Sequence, residues 1–170
     1  KLESGKVKTL AEWKSGRTEE WLSSAKGLFV IGLLHAGAED YEKALSYLER
    51  AVKQDPNFAD AYFLIGWCHD MLGKYNEAIE SYKQAIRIKP DYAEAHRNLG
   101  VAYVSLGRYN EAIESCKQAI RIKPDNAEAH FTLGLAYIII GDKGSALDEY
   151  KILKEIDKEL ANKLFNAIYQ

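Results

Sequence analysis

The chain has 170 residues, 47% of them apolar and 28% charged, with a net charge of −2. That balance argues against a nucleic-acid binder, which needs a basic stripe to neutralise phosphates. Its two cysteines, Cys68 and Cys116, lie far apart, which argues against a disulfide framework and a cysteine-based zinc site.

In chain order, residues 1–17 carry Val7, Leu10 and Trp13 among lysines and glutamates. Trp21, Ala25, Leu28, Gly32 and His35 then share one helical face, which predicts a first helix starting near Thr18. The longest apolar run, Gly27–Ala38, is too short to span a bilayer. Further on, Tyr62, Ile65, Gly66 and His69 form one helical stripe and Ala78, Tyr82 and Ala85 a second. Gly73 between them suits a helix C-terminus. Pro90 ends the second helix by biasing Lys89 away from helical angles. Asp91 with Glu94, and Asp125 with Glu128, read as capping boxes that open the following helices.

The pattern repeats. Pro56, Pro90 and Pro124 are spaced by 34 residues, as are Gly32, Gly66, Gly100 and Gly134, and Ala44, Ala78, Ala112 and Ala146. Residues 75–91 and 109–125 are the same sequence except for Tyr82 against Cys116. Four blocks follow, 25–58, 59–92, 93–126 and 127–160, each read as two antiparallel helices. The matched glycines and alanines are expected on facing helices, where small side chains let the axes approach to roughly 8–10 Å. Tyr82 falls at a core position, so larger side chains are expected around Cys116 to replace the lost ring. Residues 1–24 read either as a cap over the first pair or as an arm that docks in a groove of its own or a neighbouring molecule. After the last block, Asp157 is expected to cap a final helix, with Leu160, Leu164, Phe165 and Ile168 packing inward and Asn162, Lys163 and Asn166 facing water. Residues 161–170 are thus a C-terminal capping helix.

These residues resemble the tetratricopeptide repeat (TPR) signature. Tyr62, Ile65, Gly66, His69, Ala78, Tyr82, Ala85 and Pro90 carry it, as do His96, Leu99, Gly100, Tyr103, Ala112, Cys116, Ala119 and Pro124. The first block fits through Leu28, Ile31, Gly32, His35, Ala44, Leu48, Ala51 and Pro56, and the fourth through His130, Leu133, Gly134, Tyr137, Ala146 and Tyr150. The fourth departs at Leu153 and Lys158, where alanine and proline are usual. The resemblance implies an all-α, right-handed superhelix whose first helices line a concave face, with no cofactor.

Catalytic signatures do not stand out. His35 and His69 share one repeat position and His96 and His130 another, a spacing that would set each pair about a helix hairpin apart, too far for a shared metal. They read as packing residues. There is no HExxH motif, glycine-rich phosphate loop or nucleophile elbow. Glu77, Glu80, Lys83 and Arg87 read as a solvated face with weak local pairs.

On the first helices, opposite the glycine stripe, the candidate peptide-binding groove comprises Phe29 and Leu33, then Asp60, Phe63, Trp67 and Asp70, then Glu94, Arg97, Asn98 and Val101, then Glu128, Phe131, Leu135 and Ile138. It is apolar with an acidic edge. The expected partner is a protein segment, an amphipathic helix with basic residues fitting well. Two TPR binding modes are disfavoured. The positions of the carboxylate clamp hold Phe29, Leu33, Leu64, Glu94 and Asn98, and those of the asparagine ladder hold Val30, Leu64, Asn98 and Thr132. The reading is a non-enzymatic scaffold or adaptor. The alternatives are a homo-oligomer that uses the N-terminal arm and a regulatory module of a larger enzyme. The two cysteines, read as unpaired, favour a reducing, cytoplasmic setting. The chain begins at Lys1 rather than methionine, which leaves a removed leader and a periplasmic setting open.

Overall fold

The computed structural model describes residues 16–170, with side chains from residue 20 onward. Val7, Leu10 and Trp13 lie outside the described residues, and with them the question of a cap or an arm. Ten helices and no strand occur among the described residues: α1 Gly16–Ser23, α2 Ala25–Gly37, α3 Tyr41–Gln54, α4 Ala59–Met71, α5 Tyr75–Ile88, α6 Ala93–Ser105, α7 Tyr109–Ile122, α8 Ala127–Ile139, α9 Lys143–Ile156 and α10 Lys158–Tyr169. They fall into two compact units, the first ending at Asn57 and the second beginning at Phe58.

In the first unit α2 and α3 form an antiparallel pair and α1 packs on α2. The helix expected from Thr18 through His35 is broken. Ser24 interrupts it, its hydroxyl donating to the Trp21 carbonyl (2.6 Å) and accepting from Gly27 N–H (3.2 Å). Serine competes for backbone groups in this way, which favours a cap over a helix interior. Gly27 is needed there, because a Cβ would overlap the Trp21 carbonyl oxygen.

In the second unit the pairs α4/α5, α6/α7 and α8/α9 follow in series, each second helix packing on the next first helix. The repeated glycines sit where the pairs close. A Cβ at Gly32 would lie 2.7 Å from Leu48 Cγ, one at Gly66 2.7 Å from the Tyr82 ring, and one at Gly100 2.5 Å from Cys116 Sγ. The same Cβ at Gly32 or Gly100 would stand 3.3 Å from the carbonyl oxygen of Ala44 or Ala112. Glycine therefore faces alanine, and all four alanines are fully buried.

The last pair differs. Over Gly134 sits Leu164 of α10, 2.6 Å from a Cβ placed there, while Tyr150 is only half-buried. Leu153, in the place of Ala85 and Ala119, is fully buried and packs with Leu164. The signature position of Tyr150 is thus not the core contact of its pair. The capping helix supplies that contact, and α10 is held at its start by Asp157, which accepts from the N–H groups of Glu159 (2.9 Å) and Leu160 (3.0 Å).

Cys116 is buried against Ile113, Leu133 and Tyr137, the same residue types as Ile79, Leu99 and Tyr103 in the Tyr82 cluster. The expectation of larger neighbours fails at these positions. The change is instead coupled to a polar one. The Tyr82 hydroxyl accepts a hydrogen bond from the buried Asn98 amide (3.3 Å), whereas Thr132, one repeat later, donates to Glu128 O of its own helix (2.8 Å). With no phenol at 116, no buried amide is needed at 132.

The expected capping boxes are displaced by one residue. α6 and α8 begin at Ala93 and Ala127, so Tyr92 and Asn126 are the caps. Asn126 accepts from Ala129 N–H (3.1 Å), and Tyr92 makes no such bond. The Pro-Asp dipeptide is taken up by the turn, which leaves the following residue at the cap.

Each first helix ends in a Schellman turn. Lys74 N–H donates to His69 O (2.9 Å), Arg108 to Tyr103 O (2.9 Å), Asp142 to Tyr137 O (2.9 Å) and Asp40 to His35 O (3.0 Å). The left-handed residue is Gly73, Gly107 or Gly141 in three of them but Glu39 (φ 60°) in the first. A side chain there costs roughly 1–2 kcal/mol, partly offset by the lower entropy of its unfolded chain. Glu39→Gly should raise the unfolding free energy by about 0.5–1 kcal/mol, measured by urea denaturation.

His130 carries the most tightly held side chain of the last pair. Its Nδ1 lies 2.6 Å from Glu149 Oε2 and its Nε2 2.9 Å from Pro124 O, with the ring 3% exposed. Both nitrogens face acceptors, which calls for the doubly protonated ring. Burial works against the charge, but the bond to Glu149, that to Pro124 O and the carboxylate's field outweigh it and raise the pKa. A raised histidine pKa adds stability below its ordinary value of about 6.5 that is lost as pH rises through the folded value. The stability difference between the natural chain and His130→Gln should therefore shrink from pH 6 to pH 9 in urea titrations. A constant difference would show the pair is not ionised.

Candidate functional site

The outward faces of α4, α6 and α8 are built from equivalent repeat positions. Asp60, Glu94 and Glu128 lie in the first turns and are exposed in all three helices. One turn on come Phe63, Arg97 and Phe131, then Trp67, Val101 and Leu135, all half-buried. Near the C-terminal ends lie Asp70 and Ile138, half-buried, and Met71 and Ile139, 52% and 51% exposed.

Not every predicted member has the same role. Phe63 packs between the rings of Tyr82 (5.9 Å) and Tyr92 (5.0 Å), so much of it is a structural prop. Asn98 is 6% exposed and committed to Tyr82, which removes it from the surface. Phe29, half-buried, and Leu33, 48% exposed, belong to α2 in the first unit. The others remain on the surface of their helices.

Charges on this face act on one another. Burial raises the Asp70 carboxyl above the usual carboxylate range, and Arg97 on the next first helix pulls it back. Burial raises the Tyr92 phenol, and its hydrogen bond to Asp60 adds to the shift. Arg97 is the basic member of an otherwise acidic and apolar set, and is itself half-buried.

No group of three or more possible metal ligands occurs among the described residues. His96 Nε2 is held on Pro90 O (3.0 Å), and both His130 nitrogens are occupied. Burial pushes the thiols of Cys68 and Cys116 up to about 11 and about 12, which keeps them as unreactive thiols. No described helix is long and apolar enough to cross a membrane.

Two surface clefts of about 380 Å³ each lie over Leu99, one between α5 and α7 and one between α6 and α7. The first sets Lys83 and Arg87 against Glu114, the second is lined by Glu111 and Glu114, and Glu114 and Ser115 are shared. Sequence reading did not single them out, since their residues belong to the repeated solvent face.

Comparison with known proteins agrees with this geometry. A TPR repeat family matches residues 71–107 and 102–141, and a tetratricopeptide repeat family matches residues 35–80. No curated protein shows significant similarity. Among solved structures, one crystal structure of MamA is 28% identical with a TM-score of 0.78, covering 85% of this chain and 86% of that one. A second is 29% identical with a TM-score of 0.75, covering 81% and 75%. YrrB, described as a TPR protein with an unusual peptide-binding site, is 20% identical with a TM-score of 0.75 over 89% and 88%, a likeness of fold. Paired helices closed on glycine, turns with one geometry and two family matches that together run from residue 35 to 141 have one reading: the chain belongs to the tetratricopeptide repeat family.

Proposed function

We propose that the protein is a non-enzymatic interaction scaffold that holds an apolar or amphipathic segment of a partner protein on the first helices of its second unit. The TPR fold supports a protein-interaction role. The observation that carries the finer reading is the graded face of α4, α6 and α8. A row of exposed acids borders half-buried aromatic and aliphatic side chains, with Met71 and Ile139 open at the far end. Apolar side chains left half-covered in a patch are the usual anchors for a partner. The acids at positions 60, 94 and 128 favour basic residues at the matching edge of the ligand. The acid–base pair His130 with Glu149 is buried with both ring nitrogens engaged, which disfavours a catalytic role for it.

The test begins with peptides selected from a random displayed library against the whole chain. Trp67→Ala and Leu135→Ser should each weaken the selected peptides at least about tenfold, the scale of losing an interface anchor, with helicity by circular dichroism preserved. Phe63 is a poor choice for this test, because its loss would unpack Tyr82 and Tyr92. Unchanged affinity in both variants would overturn the assignment.

A further inference from the structure

The edge formed by α9 and α10 carries a second patterned surface. Residues 143, 147, 150 and 154 make one stripe of α9, and 158, 161, 162, 165 and 169 one stripe of α10. The helices run antiparallel, so the stripes meet in register. The Tyr150 and Phe165 rings meet at a tilt (5.3 Å, 44°), as do those of Phe165 and Tyr169 (4.6 Å, 45°). Lys143 lies over the Tyr169 ring (4.3 Å) and Lys154 near that of Tyr150 (5.8 Å). Phe165 and Tyr169 are 41% and 58% exposed.

At the other end of the seam is a pocket of about 190 Å³, lined by Tyr150, Lys154, Lys158, Ala161 and Asn162. Lys154 and Lys158 line it and no acidic residue does. This contrasts with the neighbouring lysines. Lys151 is paired with Asp148 (2.7 Å) and Lys163 with Glu159 (2.6 Å), whereas Lys143 and Lys154 lie on rings. Asp157, between the two helices, is engaged in capping α10.

We propose that this seam is a binding surface for an extended acidic protein segment, separate from the first-helix face. An aspartate or glutamate side chain of that segment occupies the Lys154–Lys158–Asn162 pocket, and an aromatic or apolar side chain lies on Phe165 and Tyr169. Charge complementarity selects the acid, since the pocket offers two cations, an amide and a phenol and supplies no counter-charge of its own. The spacing selects the sequence. Asn162 to Phe165 and Tyr169 spans about 5–10 Å along a helix, which an extended chain covers in about two or three residues.

The probe is an acetylated, amidated peptide, GSDEAFDEAFSG, titrated into the isotope-labelled whole chain and followed by amide chemical shifts. Shifts should concentrate in residues 150–169 and weaken as salt is raised. K154Q/K158Q, at two exposed sites, should lower the affinity at least about tenfold, and Phe165→Ser should do so with the salt dependence retained. Equal binding of GSKKAFKKAFSG would overturn the proposal, as would no shifts at millimolar peptide. So would binding to phosphatidylserine vesicles but not to the acidic peptide. Shifts confined to α4, α6 and α8 would also overturn it, while leaving the first-helix reading in place.

Discussion

The fold depends on one close approach. In three pairs the first helix presents a glycine to a side chain of the second, at Gly32 with Leu48, Gly66 with Tyr82 and Gly100 with Cys116, and no Cβ fits between them. The helices meet there, and Ala44, Ala78 and Ala112 are sealed behind the contact. Dispersion between tightly packed atoms outweighs the roughly 1 kcal/mol that glycine costs inside a helix. Once that contact fixes a pair, the identical Schellman turns give every hairpin the same handedness and reach. Repetition in the sequence therefore follows from repetition of the contact. Segments 75–91 and 109–125 match in their buried residues, Ala78, Ile79 and Ala85 in one and Ala112, Ile113 and Ala119 in the other, because these faces meet nearly the same neighbours; packing does not explain why their exposed positions agree too.

This constraint also divides the molecule into a fixed side and a free side. Second helices bury their stripes and expose lysines and glutamates, with local pairs such as Lys83–Glu80 and Arg108–Glu111 that add little stability. First helices are buried on the glycine side and also beyond it, at Leu64, Cys68, Asn98 and Ala102, and keep one face half-buried or exposed. Their outward positions can change chemistry without disturbing the pair, as Phe63 to Arg97 to Phe131 and Trp67 to Val101 to Leu135 do. Partner selection can be written there.

Features that recur at the same period were legible in the sequence. The helix pairs, the glycine–alanine contact, the proline stops and the capping helix with its Asp157 all depend on local conformation or on one contact met several times. What was missed depends on a single meeting of unlike residues. Ser24 breaks a continuous apolar face because one hydroxyl satisfies two backbone groups. Asn98 read as a groove residue because its partner, the Tyr82 hydroxyl, lies sixteen positions earlier on another helix. Leu164 displaces Tyr150 over Gly134 because Leu153 and α10 reshape the last pair. The His130–Glu149 pair had a signal of its own, since Glu149 stands where Ser115 stands one repeat earlier, but that substitution gains meaning only when both side chains are seen to face each other. Of the predicted binding residues, most sit on first-helix surfaces, and their ligand was not legible because nothing in the chain itself complements them.

The central claim is that a partner segment binds the half-buried face of α4, α6 and α8. Amide hydrogen exchange on the whole chain, with and without a selected peptide, tests it most directly. The account predicts that the ligand slows exchange in α4, α6 and α8 and leaves α5 and α7 unchanged. Slowing confined to α5 and α7, beside the clefts over Leu99, would contradict it.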